Sequence, residues 1–475
     1  MKRRDTLWAA CGWLAAPAWA QAPATALPEA IAQALRQAQL PDSALALWCA
    51  PAGGGDARLA WRAQAAHNPA SLAKLATTWM ALSQLGPGWR WRTPVWLNGR
   101  VDAARGVLHG DLVLQGRGDP SLVLERLWLL LRRVQQQGVR EIQGDIVLDN
   151  SAFAPEPQSP ADFDGEPWSP GNVQPDALLL NYKAHTLHVR PDAEAGVAWL
   201  HQDTGLPLQP HVPLRPGPCR DPRGGLRANW VEAPGQPVPL QLAGALPSGC
   251  GPQQWPLADA DPATYNARLL AQLWGDLGGR LRGQVRPGAA PEAPPSFEWA
   301  SPPLAEVVRD INKHSNNLMA EQLALTLSWQ AGDRPSTRAA ARQRLAIWLQ
   351  QRLGWADDSF VLDNGSGLSR QARLSAAQLG QLLQAAWRSP VMPEFVASLP
   401  LAGVDGTLSR DPGRFGDAQA RAHLKTGSLR DVAGVAGYVQ ALDGQRWALV
   451  AMLQHPQARQ GRGVLDAAVR WAAGA

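Results

Sequence analysis

Short motifs that contain serine or threonine occur at three widely separated places in this chain, and a lysine belongs to or precedes each. They are Ser71-Leu-Ala-Lys74, Lys313-His-Ser315-Asn-Asn317 and Lys425-Thr-Gly427. If the three motifs form one site, the residues between 75 and 312 must leave a domain and return to it, because a segment this long exceeds any ordinary loop. The spacing therefore predicts a domain that is interrupted by inserted structure.

Lysine is rare here, which makes the motif lysines informative. The 45 Lys+Arg residues include only five lysines: Lys2, Lys74, Lys183, Lys313 and Lys425. Guanidinium stays protonated, whereas an ε-amine can lose its proton when it is desolvated or lies near another cation. A lysine kept in so arginine-rich a chain indicates a position where arginine would not serve.

Length and composition limit the classes of protein to consider. A chain of 475 residues is too long for one ordinary core, so two or three domains are expected. A composition of 45% hydrophobic and 18% charged residues is typical of a globular protein. The net charge of +5 is mild and no dense basic run contains interleaved aromatics, so nucleic acid is not an expected partner. This charge would allow peripheral association with an anionic wall or membrane surface.

Residues 1–20 have the pattern of a secretory signal peptide. Lys2-Arg3-Arg4 forms a positive start, residues 7–17 are apolar, and Ala18-Trp-Ala20 is a cleavage site of the A-x-A type. The apolar stretch is too short for a membrane span, and no later segment is long enough, so no transmembrane anchor is predicted. We expect an exported, periplasmic protein.

Patterns at the two ends of the chain predict one domain that combines a sheet with helices. Predicted strands lie at 43–50, 57–63, 422–429, 432–440 and 446–454. Predicted helices lie at 71–85, 303–325, 337–353, 375–386 and 461–473. We assign residues 21–86 and 286–475 to this domain.

The middle of the chain has a different pattern of predicted elements and composition. Predicted strands at 108–115 and 142–149 flank a helix at 120–137, and another helix is expected at 263–277. These elements predict a small α/β unit of residues 87–180 and 257–285. Proline and glycine are dense from 154 to 256 and the strand-length runs are short, so residues 181–256 are predicted to be β-rich.

Three cysteines lie beyond the signal sequence. Cys219 and Cys250 flank one region rich in proline and glycine, and export permits a disulfide, so we predict that they are linked. Cys49 lies in an apolar run and is predicted to be a buried free thiol. No Cys-x-x-Cys pair or histidine cluster suggests a metal site, and no cofactor is expected.

Ser71 and Lys74 have the spacing of a nucleophile and its base. Residues three apart on a helix share a face, so the amine can reach the hydroxyl and take its proton. The Ser71 N–H at a helix start can also point at a developing oxyanion. A serine at this place is more often an N-cap, so the motif alone is weak.

The other two motifs suit the same chemistry. Ser315 could relay a proton to a leaving amine, and Asn317 could offer its amide to the substrate or to Lys74. The predicted strand with Lys425, Thr426, Gly427 and Ser428 could pair with a peptide and bind a carboxylate, with the Ser428 N–H as a second oxyanion donor. A β-carbon at Gly427 would meet the incoming peptide backbone, so we expect Gly427→Val to slow acylation but, because valine suits a strand, to leave the fold intact. Taken alone, the motif at 315–317 is equally typical of a polar helix-entry turn, and the motif at 425–428 of an ordinary exposed strand.

The order S-x-x-K, S-x-N, K-T-G resembles that of the penicillin-recognising acyl transferases. The long first interval is similar to that of class C low-molecular-mass penicillin-binding proteins, the D-alanyl-D-alanine carboxypeptidase/endopeptidases. Further matches are 114–122 (Leu-Gln-Gly-Arg-Gly-Asp-Pro-Ser-Leu), 144–153, 363–370 (Asp-Asn-Gly-Ser-Gly-Leu-Ser-Arg) and 399–408. The resemblance implies an α+β multidomain fold, with a transpeptidase-like domain that two nested domains interrupt after the nucleophile helix.

The resemblance also implies roles. Ser71 would be the acylated nucleophile, Lys74 its base, Ser315 and Asn317 the second motif, and Lys425 the substrate-binding lysine. The implied substrate is the D-Ala-D-Ala end of a peptidoglycan stem peptide or a D-Ala–diaminopimelate crosslink, with β-lactams as covalent inhibitors. A β-lactamase or esterase with the same motifs, and a wall-binding protein with a retired site, are the alternatives.

One departure concerns the diaminopimelate side chain. In the family an acidic residue soon after a tryptophan is associated with its amino group, but Trp168 is followed here by Ser169-Pro170. Asp162, Asp164 or Glu166 could substitute from a shifted loop. Side-chain specificity is therefore left open at the level of sequence.

Overall fold

The computed structural model describes residues 26–221, 225–230, 239–409 and 413–474. The predicted signal peptide at 1–20 lies outside these residues. Among the residues described, no helix combines the length and apolar character needed to cross a bilayer.

Helices and strands both contribute heavily to the part of the chain that is described. The helices are α1 (Glu29–Gln37), α2 (Lys74–Leu85), α3 (Leu124–Gln136), α4 (Tyr265–Asp276), α5 (Leu304–His314), α6 (Asn317–Gln330), α7 (Arg338–Leu353), α8 (Ala376–Trp387), α9 (Met392–Ser398) and α10 (Arg462–Ala473). The first strands are β1 (Leu45–Pro51), β2 (Leu59–Trp61), β3 (Ala66–His67), β4 (Arg92–Asp102), β5 (Val107–Gln115), β6 (Glu141–Ile142) and β7 (Ile146–Asp149). The middle strands are β8 (Ala184–Asp192), β9 (Val197–His201), β10 (His211–Arg215), β11 (Leu226–Trp230), β12 (Leu240–Gly244), β13 (Leu246–Pro247) and β14 (Gln253–Ala258). The last strands are β15 (Arg280–Leu281), β16 (Val285–Pro287), β17 (Phe297–Ala300), β18 (Leu374–Ser375), β19 (Ala422–Ser428), β20 (Val432–Gln440) and β21 (Arg446–Gln454).

The two ends of the chain build one antiparallel sheet, as the sequence predicted. Its order is β19-β20-β21-β1-β2, so the strand with the third motif lies at an edge. Because side chains alternate along a strand, neighbours such as Val435 and Ala436 enter different cores. One core contains helices α2, α5, α6 and α8, and the other contains α1 and α10.

A second sheet forms the body of the inserted α/β unit. It has seven strands, with β15-β6-β5-β4-β17 in order and β7 joining β5 to β16, and helices α3 and α4 pack against it. This sheet continues to Ala300, whereas we had assigned residues from 286 onward to the first domain. The strands near and beyond residue 286 are β16, which pairs with β7, and β17, which pairs with β4.

The β-rich unit lies within this insertion. Strands β8, β9, β10, β13 and β14 form one sheet, and β11 and β12 form a separate antiparallel pair. A disulfide joins Cys219 and Cys250, which confirms the predicted pairing. Cys49 is a buried free thiol, also as predicted. The chain is an α+β multidomain protein.

One predicted helix is in fact two. Instead of continuing from 303 to 325, the chain ends α5 at His314 and begins α6 at Asn317. Ser315 has a φ of 56°, a left-handed conformation that ends a helix. The Asn316 side chain then accepts a hydrogen bond from the Met319 N–H at 3.0 Å and caps α6. The S-x-N motif thus occupies a junction between helices.

Candidate active site

A tight turn immediately before the N-terminus of α2 carries Ser71. Ser71 lies in a single 3₁₀ turn, Ala70–Ala73, and Ala70 before it has a φ of 46°. Such a conformation is costly for a residue with a β-carbon and persists only when its surroundings impose it. Here the Asn68 side chain accepts from the Ala70 N–H at 2.8 Å and donates to the Ser369 carbonyl at 2.8 Å. The turn is thereby held from outside its own segment.

Lys74 lies one turn further along, with its amine completely buried. Its Nζ is 2.9 Å from Ser71 Oγ, 2.6 Å from Asn317 Oδ1 and 2.5 Å from the Ser366 carbonyl oxygen. The amide oxygen and the carbonyl oxygen can only accept hydrogen bonds. They suit the two N–H bonds of a neutral amine, whose lone pair then faces the Ser71 hydroxyl.

The surroundings of Lys74 favour that neutral form. Burial lowers the pKa of Lys74 well below its usual value, and the positive charge of Lys425 lowers this pKa further. A desolvated amine that gives up its proton near neutral pH is a competent general base.

The second lysine reaches the site from the sheet. Lys425 on β19 is also fully buried, and its Nζ donates to Ser315 Oγ at 2.8 Å and to the Thr426 carbonyl at 2.8 Å. Burial lowers the pKa of Lys425 to about 7. Ser315 and Lys425 therefore form a hydroxyl–amine pair that parallels the pair of Ser71 and Lys74.

The outer edge of β19 borders the site. Residues 400–402 cover the start of this edge, where the Leu424 N–H donates to the Pro400 carbonyl and the Ala402 N–H donates to the Ala422 carbonyl. Since backbone groups alternate with a period of two, the N–H groups of Thr426 and Ser428 point outward from the sheet, as that of Leu424 does. That part of the edge opens on a cavity of about 460 Å³ that Ser71 and Ser315 also line.

Gly427 packs against the turn that carries Ser71, a contact that we did not predict from the sequence. A β-carbon on Gly427 would lie 2.9 Å from the Pro69 carbonyl oxygen and 3.3 Å from the Ala70 β-carbon. The absence of a side chain lets the strand pack closely against the turn that carries Ser71.

All the residues that the sequence singled out lie at this one place, but several of their partners were missed. Asn68, Ser366 and Thr407 had no assigned role. Ser366 and Thr407 belong to the matches at 363–370 and 399–408, and Thr407 Oγ1 lies 2.8 Å from Thr426 Oγ1. Those two segments were recognised as similar to the family without any sign of what they contact, and nothing local distinguished Asn68.

The inserted structure also reaches the site. A groove of about 680 Å³ runs between the inserted units and the junction of α5 and α6, and meets the first cavity at His314 and Ser315. On another side, Phe163 packs against Ala70, Leu429 and Val432. The loop around Phe163, which holds Asp162 and Asp164, thus lies beside the nucleophile turn.

This arrangement can carry out acyl transfer through a serine. It offers a hydroxyl next to a buried amine, a second hydroxyl–amine pair, and backbone N–H groups along an open strand edge. Within the described ranges, no group of three or more His, Cys, Asp or Glu residues is placed to hold a metal ion.

Comparison with known proteins assigns the family. Residues 27–475 match the D-Ala-D-Ala carboxypeptidase 3 (S13) family. The chain is 25% identical to the D-alanyl-D-alanine carboxypeptidase DacB of Haemophilus influenzae over 395 residues, 81% of this chain and 80% of that protein. It is 27% identical to a D-alanyl-D-alanine carboxypeptidase of an Actinomadura species over 79% of this chain and 71% of that protein.

Solved structures share the fold. Penicillin-binding protein 4 of Haemophilus influenzae superposes with a TM-score of 0.74 at 21% identity, over 92% of this chain and 97% of that one. A predatory endopeptidase of Bdellovibrio bacteriovorus, in complex with an immunity protein, superposes with a TM-score of 0.53 at 14% identity, over 88% of each chain. The fold is therefore that of the multidomain penicillin-binding proteins. The chain belongs to the D-Ala-D-Ala carboxypeptidase 3 (S13) family.

Proposed function

We propose that this protein is a serine-type D-Ala-D-Ala carboxypeptidase that also cleaves peptidoglycan crosslinks as an endopeptidase. Family membership supports the reaction class. The single observation that carries the assignment to residues is the buried Lys74 amine, 2.9 Å from Ser71 Oγ and held by two groups that only accept hydrogen bonds.

Acylation begins with Ser71. Its Oγ attacks the carbonyl carbon of the penultimate D-alanine while its proton passes to Lys74 Nζ. The N–H groups of Ser71 and Ser428 stabilise the oxyanion that forms on the carbonyl oxygen. When the C–N bond breaks, Ser315 passes its proton to the leaving amine and takes one from Lys425 in exchange.

Hydrolysis of the acyl-enzyme completes the cycle. Before hydrolysis Lys74 releases the proton that it took from Ser71 and Lys425 regains the proton that it gave to Ser315, so the total charge of the two amines is unchanged. Water then attacks the ester of Ser71 and gives its proton to the neutral amine of Lys74, which returns it to Ser71 Oγ as the shortened peptide leaves. These steps use only side chains and water. With a β-lactam the ring amide is opened in the same way, but the leaving amine stays attached, so the acyl-enzyme persists.

The strand edge binds the peptide. The outer edge of β19 at Thr426 and Ser428 pairs with the stem peptide, and Lys425, Thr426 and Ser428 bind its terminal carboxylate. Asn317 holds Lys74 in place and turns its amide N–H₂ toward the substrate backbone. The side chain of Thr426 is supported by Thr407 at 2.8 Å.

The wider organisation follows from this function. Residues 1–20 direct export to the periplasm, where the peptidoglycan substrate lies. The catalytic domain comprises residues 21–86 and 301–475, and the α/β and β-rich insertions form the walls of the groove that meets the site at Ser315. Asp162, Asp164 or Glu166 provides the acid for a diaminopimelate amine, and the packing of Phe163 against Ala70 supports a place for this loop beside the site.

Covalent labelling tests the assignment. After incubation with benzylpenicillin, mass spectrometry should find one adduct, on Ser71, that decays over many minutes. Ser71→Ala should remove it, and Ser369→Ala, a buried serine close to the turn, should not. Rapid turnover of the penicillin would instead identify a β-lactamase, and a lack of any adduct would point to a wall-binding protein without catalysis.

A further inference from the structure

The cavity beside Ser71 has a basic wall. Among the described residues that line it, Lys313, His314, Arg414 and Arg462 are basic and none is acidic. A cavity lined by one sign of charge attracts ligands of the other sign. This wall therefore favours an anionic group.

Two of these cations already have partners. Lys313 Nζ lies 2.6 Å from Asp405 Oδ2, and Arg414 pairs with both carboxylate oxygens of Asp466 at 2.7 Å. The side chain of Arg462 is exposed and makes no ion pair or hydrogen bond with any residue that the structure describes. Arg462 is thus the basic group of the wall that can offer its full guanidinium to a ligand.

The position of Arg462 relates it to the leaving group. It is the first residue of α10, and α10 packs on the face of the sheet that Val435 enters. Val435 is the register partner of Thr426, so the Thr426 side chain also points to this face. Arg462 therefore lies beyond the residues that bind the carboxylate of the scissile D-amino acid.

We propose that Arg462 forms a subsite for a carboxylate of the stem peptide that is released when a crosslink is cleaved. This inference rests on the proposed function. A carboxypeptidase substrate releases one D-alanine, whose only carboxylate is already bound by the strand. A crosslink releases a whole stem peptide, which carries further carboxylates past the scissile bond. Arg462 consequently favours crosslinks over uncrosslinked pentapeptides.

The test compares two substrates and two variants. The full-length mature protein is assayed on a purified crosslinked muropeptide dimer and on an uncrosslinked pentapeptide. Arg462→Gln is compared with Arg459→Gln, an exposed arginine one turn earlier that does not line the cavity. Thermal unfolding verifies that both variants fold.

We expect Arg462→Gln to lower kcat/KM for the crosslinked dimer about three- to tenfold, mainly through KM, because it removes one charged contact at a solvent-exposed site. Pentapeptide cleavage and penicillin acylation should be unchanged, and Arg459→Gln should behave as the wild type. Raising the salt concentration should reduce the wild-type preference for the dimer toward that of Arg462→Gln.

Other results overturn the subsite. An equal loss on both substrates would place Arg462 at the carboxylate of the scissile residue, and no loss on either would remove it from substrate binding. A wild-type enzyme that cleaves the pentapeptide but not the dimer would also refute the subsite, yet leave the carboxypeptidase intact. A wild-type enzyme that cleaves neither substrate and forms no penicillin adduct would refute the proposed function itself.

Discussion

The catalytic sheet and the β-rich insertion stabilise their structures in different ways. The catalytic sheet has a hydrophobic core on each face, and these cores enclose Lys74 and Lys425, neither of which forms an ion pair with any described carboxylate. The β-rich unit has one small core and a disulfide, and where it meets the α/β unit its His185 shares the buried carboxylate of Asp259 with Arg268.

The difference shows that unpaired buried amines are found in the region with the larger hydrophobic cores. An unpaired buried amine costs free energy, and only a large, well-packed region can hold it in place. The catalytic region uses its packing to hold two such amines in a reactive state. The insertion has too little core for that, so it pairs its charges and closes a loop covalently.

The most severe test of this contrast replaces a lysine with arginine in each region. Lys74→Arg should reduce acylation by about 10²–10⁴-fold, because guanidinium cannot accept a proton near neutral pH. Lys183→Arg should acylate normally, since Lys183 makes an ion pair with Asp176 at 2.6 Å that arginine can replace. Stopped-flow acylation with a fluorescent penicillin measures both, and near-normal rates for Lys74→Arg would remove Lys74 as the base.

The pH dependence of stability should also reflect the unpaired amines. The pKa of Lys425 is about 7 in the fold against an ordinary value of 10.5, so the unfolded chain binds more protons between these values. The free energy of unfolding should therefore rise with pH across this window, by up to a few kcal/mol from Lys425. Lys425→Met should flatten the rise measured by denaturant titration from pH 7 to 9.5. An unchanged slope would mean that Lys425 is not desolvated.

The disulfide should matter for the insertion alone. Changing Cys219 and Cys250 together to serine should cost about 3–4 kcal/mol by the loop-closure estimate for a separation of 31 residues. Protease sensitivity should increase within residues 184–258 while penicillin acylation stays close to the wild-type rate. Loss of acylation would show that the two regions are coupled more tightly than their separate cores suggest.

Gly427 packs closely against the turn that carries Ser71, so replacing it should lower stability less than loss of the disulfide does and should also slow acylation. Gly427→Val should destabilise the protein by about 1–3 kcal/mol and slow acylation, because its side chain would push the Pro69 carbonyl. This replaces our expectation from sequence that valine would leave the fold intact. Gly88→Val is the control, since a β-carbon there meets nothing within 4 Å. Equal melting temperatures for the two variants would contradict the packing argument.

The smallest effect is expected at Thr426. Thr426→Ala removes one hydroxyl that contacts the substrate carboxylate, so binding or transition-state stabilisation should fall by about 1 kcal/mol. Thr407→Ala should cause a similar or smaller loss in kcat/KM, because Thr407 acts through Thr426 at 2.8 Å. A complete loss of acylation in either variant would show that these hydroxyls do more than bind the carboxylate.

Much of the catalytic region could be predicted because its signals are local. The three strands at 422–454 appear within a residue of their predicted ends, since alternation and turn residues mark them. The pairing of Cys219 with Cys250 was also predictable, because only one partner lay in the same region. The residue types and spacing of the three motifs were enough to place Ser71, Lys74 and Lys425 in one hypothesis.

Contacts between distant segments were not predictable from local patterns. The contact of Lys74 with Asn317 was among those predicted, but its second partner, the Ser366 carbonyl, was not, and neither was the Pro69 carbonyl that a β-carbon on Gly427 would meet. The pairing of β16 and β17 with the inserted sheet likewise joins residues far apart in the chain. Amino-acid order alone therefore established which groups could react and which elements carry them. Their protonation, their supports and the strands that join the inserted sheet came from packing, because burial and strand register arise only when distant segments meet.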